Sequence, residues 1–287
     1  MMGPYEQLEL LGEGSYGRVY RARDIDTGRI VAIKKIQIEE EDEGIPCTVL
    51  REVAVLKELV DPNIVSLLTV VRAKKWCLVF EHMAMDLKKE LSLTKHMCPK
   101  RVKSYMHQII DALGSCHYAG ILHRDIKPQN LLVDGQGTIK LADFGLVRAF
   151  GVPLRPYTQR VCTLFYRAPE LLLGEPVYAT PIDMWSLGAV FYELVTHSVL
   201  FSADTEIALI YKIWQTLGTP NETSWPGVTS LRYWPTSEAA VWPAKEMAEL
   251  VPGLDAQGQD LMRLMLVQNP ARRISAKRAF THPWFDK

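Results

Sequence analysis

The sequence predicts an α+β fold built as two unequal lobes. Residues 1–81 read mostly as short β-strands separated by turn signals, with one helix among them. Residues 82–287 read mainly as helices, with apolar side chains recurring at the 3.6-residue period. A length of 287 residues, 48% of them hydrophobic, is enough to bury a core. A strand-rich half followed by a helical half is the pattern of an α+β chain.

In chain order, Leu8-Glu9-Leu10-Leu11 and Arg18-Val19-Tyr20-Arg21-Ala22 are the first strands and flank a glycine-rich turn. Ile30-Val31-Ala32-Ile33-Lys34 follows Asp26-Thr27-Gly28, a hairpin-type signal. A helix enters near Pro46, a favourable first-turn residue, and runs to about Val60, before the breakers Asp61-Pro62-Asn63. Residues 69–72 and 76–81 read as two further strands. From Lys100 to Ala119, the residues Val102, Met106, Ile109, Ile110, Leu113 and Cys116 share one helical face, and Gly120 is a natural stop. The helix from about Ile182 to Thr196 is apolar almost all round, which predicts burial on several sides. Helices are expected near Glu206 to Thr216 and Gln259 to Leu266, and the Pro-, Trp- and Ser-rich stretch from Pro220 to Pro252 is expected to loop over the surface. No internal repeat or low-complexity segment is visible.

Composition narrows the function classes. Thirty-three basic and 33 acidic residues leave a formal net charge of zero, so nothing favours nucleic acid or an anionic membrane. A negatively charged ligand must be held by local geometry. The cysteines (Cys47, Cys77, Cys98, Cys116 and Cys162) are scattered without a C-x-x-C pair, so reduced thiols are expected, with neither zinc nor redox chemistry. The first residues show no signal peptide, Gly3 is not at the myristoylation position, and no apolar run reaches about eighteen residues. The expectation is a soluble intracellular protein of the cytoplasm or nucleus.

Gly12-Glu13-Gly14-Ser15-Tyr16-Gly17-Arg18-Val19 is a G-x-G-x-x-G-x-V run. Glycines let a backbone close over phosphates, because no Cβ blocks the approach. The same letters can open a dinucleotide-binding helix, but here both flanks read as strands. Standing alone, the run is equally a plain hairpin turn. Lys34, at the end of the apolar strand Val31-Ala32-Ile33, changes the balance, since its ammonium would sit near the loop and within reach of the α- and β-phosphates of ATP. A lysine on the buried side of a strand needs an acidic partner, and Glu52 in the following helix is the candidate.

His123-Arg124-Asp125-Ile126-Lys127-Pro128-Gln129-Asn130 follows an apolar helix. Asp125 is the candidate base, placed to orient a substrate hydroxyl and accept its proton. Lys127 can neutralise charge on the transferring phosphoryl group. Asn130 and Asp143, which opens Asp143-Phe144-Gly145, offer a neutral and an anionic oxygen to hard magnesium. Each fragment alone is an ordinary turn or surface run. In this order, behind the glycine loop and the lysine, they match the parts of ATP- and magnesium-dependent phosphoryl transfer. Glu170, in Ala168-Pro169-Glu170, is expected to pair with Arg273, and Asp183 is expected to accept hydrogen bonds from the catalytic run. Both are structural roles.

From about Tyr5 to Phe285 the chain resembles a eukaryotic protein kinase, and within that group the cyclin-dependent kinases. The narrower resemblance rests on Glu43-Gly44-Ile45-Pro46-Cys47-Thr48-Val49-Leu50-Arg51-Glu52, on residues 143–150, on the run from Tyr157-Thr158 to Glu170, and on Leu217-Gly218-Thr219-Pro220 with Trp225-Pro226-Gly227-Val228. It implies the bilobal protein-kinase fold, with one kinase domain split into lobes at 1–81 and 82–287. It implies ATP and Mg2+ as cofactors, and transfer to Ser or Thr hydroxyls followed by proline, in cell-cycle or transcription control. ATP would be touched by Leu11, Gly12, Glu13, Gly14, Gly17, Lys34, Gln129, Asn130 and Asp143. The Glu81 and Met83 backbone would bond the adenine, Val19, Ala32, Phe80 and Leu132 would enclose it, and Asp86 would lie near the ribose.

The resemblance also implies partners and switches. A cyclin would dock on the segment from Pro46 to Glu52. The residues agree, because Val49, Leu50, Val53, Ala54, Val55, Leu56, Leu59 and Val60 cover more than one helical face, leaving apolar surface for a partner that would set the Lys34–Glu52 pair. An activating kinase would phosphorylate Thr158, and Arg51, Arg124 and Arg148 would receive the phosphate. Ser15 and Tyr16 match inhibitory phosphorylation sites, and Val161 with Tyr166-Arg167 fits a preference for proline. The helix segment departs from the common P-S-T-A-I-R-E, which leaves the cyclin open. Arg160 replaces a common acidic residue and speaks against a basic preference downstream of the target. Ala208 replaces the last acid of a family segment and speaks against a Cks-type adaptor. The alternatives are a cyclin-independent kinase of the same group, a pseudokinase scaffold and a small-molecule kinase. The intact Lys34, Glu52, Asp125, Asn130 and Asp143 oppose the scaffold, and the Thr158 segment opposes the small-molecule kinase.

Overall fold

The computed structural model describes residues 3–14, 17–36, 47–72, 75–146, 148–149, 163–235 and 240–286. Ser15, Tyr16, Pro46, Thr158, Arg160 and Val161 lie outside the described residues, as do the side chains of Arg51 and Arg148.

The N-terminal lobe is a five-stranded antiparallel sheet, β1 (Tyr5–Gly14), β2 (Gly17–Asp24), β3 (Ile30–Ile36), β4 (Leu67–Arg72) and β5 (Trp76–Glu81), in the order β1-β2-β3-β5-β4. Period-2 alternation explains its two faces. Val31 and Ile33 of β3 join Cys77 and Val79 of β5 in a small outer cluster with Tyr5 and Ala22. The alternate residues Ala32, Lys34 and Ile36 point the other way, opposite Phe80 and Leu78 across the ladder. Lys34 therefore lies on the inner face because its apolar neighbours need the outer one.

Helix α1 (Cys47–Glu58) packs on β4 and on the turn after β9, so it lies against the inner face. It stops two residues short of the expected end, and Val60 is 94% exposed. The expected surplus of apolar surface is only partly real. Val49, Val55, Leu56 and Leu59 are buried, whereas Leu50 is 52% exposed and Ala54 is also exposed.

The C-terminal lobe begins with β6 (Met85–Asp86), α2 (Leu87–Leu93) and α3 (Pro99–Tyr118). Then come β7 (Ile121–Leu122), β8 (Leu131–Val133), β9 (Ile139–Leu141) and β10 (Arg148–Ala149). Helices α4 (Pro169–Leu172), α5 (Pro181–Thr196), α6 (Glu206–Leu217), α7 (Met247–Leu250), α8 (Ala256–Met265) and α9 (Ala276–Phe280) complete it. Helix starts follow local chemistry. Proline opens α3, α4 and α5, and the side chains of Asp86, Thr205, Asp255 and Ser275 accept an N–H in the first turn of α2, α6, α8 and α9. Helix α5 is buried almost throughout, with Trp185 stacked on Phe201, and packs against α3 and α8.

The stretch from Pro220 to Pro252 departs from the expected surface loop. Trp225, Val228 and Val251 are buried, the 3-10 turn Val228–Ser230 and α7 lie within it, and Trp234 packs on Trp214 at 5.0 Å. Its backbone bonds back to the end of α6, with Thr219 N–H on the Trp242 carbonyl and Lys245 N–H on Thr216. Tryptophans spread through a proline-rich loop have apolar area to bury, and the end of α6 takes it. Among the described residues no helix is long and apolar enough to cross a membrane.

Candidate active site

The cleft between the lobes receives one side chain from each of three elements. Lys34 on β3 donates to both Glu52 oxygens of α1, at 2.9 and 3.0 Å, and to Asp143 Oδ1 at 3.1 Å. Burial alone would favour neutral forms of Lys34 and Glu52. On Glu52 burial wins and lifts the carboxyl, with Lys34 opposing. On Lys34 burial pulls down, but two carboxylates pull harder and raise the ammonium above its ordinary value. The ammonium governs, because neutralising it would leave two carboxylates facing each other with nothing between them. Burial likewise pushes the Asp143 carboxyl up, but Lys34 more than offsets it and holds Asp143 below its ordinary range. The Asp143 side chain is 47% exposed, so its other oxygen faces the open cleft.

The pair was expected to depend on a partner. It is already made in the structure of the single chain, because α1 sits on the sheet through Val49, Val55 and Leu56.

The catalytic run is held by Asp183 at the start of α5. Its carboxylate is buried and accepts the N–H groups of His123 (3.0 Å) and Arg124 (2.8 Å), with the His117 ring at 2.9 Å. Burial pushes this carboxyl up, and the hydrogen bonds bring it below its ordinary value. These bonds hold Arg124 at φ +68°, and Asp143, bonded to Lys34, has φ +61°, both in the region non-glycine residues rarely enter. His123 ties the two runs together. Its Nδ1 accepts from Asp125 N–H (3.3 Å), its Nε2–H donates to the Ala142 carbonyl (3.0 Å), and its ring meets Phe144 edge-on at 5.1 Å. The Arg124 guanidinium donates to the Tyr178 hydroxyl at 3.0 Å.

Among the described residues the Asp125 carboxylate is met by donors. Lys127 Nζ lies 2.7 Å from Oδ2, Asn130 Nδ2 donates to the same oxygen at 2.9 Å, and Thr163 donates N–H and O–H to Oδ1 at 3.1 Å each. Lys127 also donates to the Thr163 hydroxyl at 2.9 Å. Thr163 was not singled out from the sequence. It lies 38 residues from Asp125, in no periodic relation to it, and only folding shows the contact.

The residues present fit a magnesium ion. The second Asn130 N–H contact is to the Asp125 carbonyl at 2.8 Å, so both contacts use the nitrogen and leave Oδ1 for a ligand. Asp143 offers a carboxylate in the open cleft. Two such oxygens with substrate phosphates suit a hard octahedral ion that keeps its waters. Asn130 and Asp143 would hold the ion, which when bound would neutralise charge on the phosphates. Among the described residues no group of three or more His, Cys, Asp or Glu side chains forms a closed metal cage.

The remaining sequence-predicted residues fall as follows. Val19 pairs with Lys34, and Ala32 with Phe80, so these side chains share the inner face of the sheet. Ala32 and Leu132 are half-buried on the same core. Gly12, Glu13 and Gly14 close β1 against Gly17 to Val19 of β2, after Leu11. Gly17 has φ +152°, and a Cβ there would run into the Lys35 carbonyl, so only glycine lets the strands approach so closely. Met83 is buried and Gln129 exposed. Asp86, expected near the ribose, uses one carboxylate oxygen to cap α2 through Lys89 N–H at 2.9 Å. The Ala168-Pro169-Glu170 segment is tied down at Glu170, which receives Arg273 at 2.7 and 2.8 Å.

These side chains meet where the strand-rich lobe joins the helical one. Residues 5–285 match the family model of the protein kinase domain, and the chain belongs to that family. It is an ATP-dependent protein kinase whose substrates are proteins.

Proposed function

We propose that this kinase is a proline-directed serine/threonine kinase that works with a cyclin on α1 and is activated by phosphate on Thr158. The observation that carries the proposal is the double use of α1. Its inner face delivers Glu52 to Lys34, while Leu50 stays 52% exposed beside an apolar cleft lined by Val49, Val53, Val70, Trp76 and Leu78. A partner filling that cleft would hold the ion pair closed through the same helix. Serine or threonine as acceptor rests on the family resemblance; at the Asp125 carboxylate, Lys127 and the Thr163 hydroxyl are bonded to each other and to the proposed base. Asp125 would orient that hydroxyl and take its proton, and Lys127 would meet the charge on the transferring group. The phosphate reading is supported by register. Arg148 of β10 pairs with Leu122 of β7, two residues before Arg124, and Arg51 precedes Glu52 on α1.

A kinase of the same group that needs no partner is the second reading. One observation favours it: the Lys34–Glu52 pair is already closed in the single chain. The test is transfer to Ser-Pro and Ser-Ala peptides by the Thr158-phosphorylated chain, with a panel of cyclins. A cyclin that stimulates the parent but not Leu50→Glu, with preference for Ser-Pro, supports the proposal. Full activity of the unphosphorylated chain alone excludes partner dependence.

A further inference from the structure

Glu81 closes β5, where the first lobe passes into the second. Its carboxylate is turned toward the lobe junction. Oε1 accepts from Ser66 N–H at 2.7 Å, and Lys140 Nζ reaches the two oxygens at 2.8 and 2.9 Å. The Glu81 N–H returns a bond to the Ser66 carbonyl at 3.1 Å. Lys140 stands on β9 opposite Leu132 of β8. Next to it, Leu141 accepts Val65 N–H at 2.9 Å and donates to the Asn63 carbonyl at 2.8 Å. Three stretches distant in sequence, 63–66, 81 and 139–141, are thus bonded into one junction.

The pair is not a solvated surface contact. The side chains of Lys140 and Glu81 are only 15% and 19% exposed. Burial pushes the Glu81 carboxyl up, but Lys140 and the Ser66 N–H outweigh it and hold it below its ordinary value. Without Lys140, a largely buried carboxylate would keep only the Ser66 N–H and would turn toward water, releasing the end of β5. What the junction holds in place is the backbone entering residues 81–83.

We propose that Lys140 is a positioning residue for the nucleotide. Through the Glu81 carboxylate it fixes the backbone against which the purine sits, and so sets ATP affinity rather than the transfer step. The inference rests on the placement of adenine against Glu81 and Met83. A purine edge recognised by backbone N–H and C=O groups needs them held to about half an ångström. A brace from β9 supplies that rigidity from the lobe that also carries Asp143.

The test uses the full chain and its Lys140→Met, Lys140→Arg and Glu81→Gln variants, measuring mant-ADP binding, the KM for ATP, the KM for peptide and the melting temperature. Lys140→Met and Glu81→Gln should weaken mant-ADP and raise the ATP KM about fivefold or more, with the peptide KM within about twofold. Lys140→Arg should recover most of the loss, since a guanidinium suits a bidentate carboxylate. Purine placement is tested separately by asking whether Phe80→Gly accepts N6-benzyl-ATP. If it does, while Lys140→Met keeps the parent nucleotide affinity, the positioning role is overturned and the placement stands. If Phe80→Gly refuses N6-benzyl-ATP, placement and inference fall together. Parallel rises in both KM values with a lowered melting temperature would make Lys140 merely structural and would also overturn the proposal.

Discussion

Replacing Arg273 by Met tests how the Ala168-Pro169-Glu170 segment is anchored. Both side chains of the Glu170–Arg273 pair are essentially inaccessible, at 1% and 0% exposed. All five guanidinium N–H groups are used. Nη1 and Nη2 fork onto Glu170, Nη1 also meets the Pro181 carbonyl at 2.7 Å, Nη2 the Gln268 carbonyl at 3.0 Å, and Nε the Val267 carbonyl at 2.8 Å. The guanidinium also lies over the Trp185 ring at 5.1 Å. Removing one member of such a pair leaves a buried carboxylate without its counter-charge and costs about 3–5 kcal/mol. At about 2–4 °C per kcal/mol for a chain near this size, the thermal midpoint should fall by roughly 10 °C. Arg273→Lys keeps the charge but offers three donors in place of five, so a loss of about 2 kcal/mol is expected from orphaned carbonyls. The double variant Glu170→Leu with Arg273→Met removes both charges and should be more stable than Arg273→Met alone. Circular dichroism melts of the four proteins decide it. A midpoint for Arg273→Met within about 2 °C of the parent, well below the shift expected, would refute the reasoning.

Lys34→Met should lower kcat/KM for ATP by about a hundredfold, because the phosphates lose their cation and Glu52 is left facing Asp143; steady-state kinetics at fixed peptide measures it. Thr163→Val removes the hydroxyl from Asp125 and Lys127 and should lower kcat at least about tenfold, whereas Thr163→Ser should restore most of it. Asp183 and Asp143 are both held below the ordinary aspartate value of 3.8, so the stability they contribute is complete above that value and is lost as pH falls from there through the lower folded-state values. Urea midpoints measured down the acid limb should fall for the parent and fall less steeply for Asp183→Asn.

What was legible in the sequence was local. Alternation in β3 placed Lys34 inward because Val31 and Ile33 needed the outer face, and the breakers after Glu58 ended α1. Order along the chain then marked the glycine run, Lys34, Asp125 and Asp143 as one candidate site, of which the structure brings Lys34 and Asp143 into contact. The polar contacts that organise the site were legible only where a motif named both partners, as for Glu170 with Arg273, 103 residues apart. Thr163 on Asp125 and Lys140 on Glu81, at separations of 38 and 59 residues, follow no period and no motif. The stretch 220–252 was misplaced for a different reason. Proline and serine signal a loop, but tryptophan seeks burial, and composition does not say which prevails. Side chains proposed to receive phosphate on Thr158 lie partly outside the described residues, so that proposal rests on the motif and on the register of β10 with β7.

The central claim is that Asp125 and Asp143 form the output of an assembled phosphoryl-transfer site. The most direct measurement is transfer of the γ-phosphate of magnesium-ATP to a Ser-Pro peptide by the purified chain, with phosphate on Thr158 and a stimulating cyclin present, beside the Asp125→Asn and Asp143→Asn variants. The parent should form phosphoserine, and either variant should lose about a thousandfold or more in rate. Parent and variants transferring phosphate at the same rate, or a parent that neither binds magnesium-ATP nor transfers phosphate under any of these conditions, would contradict it.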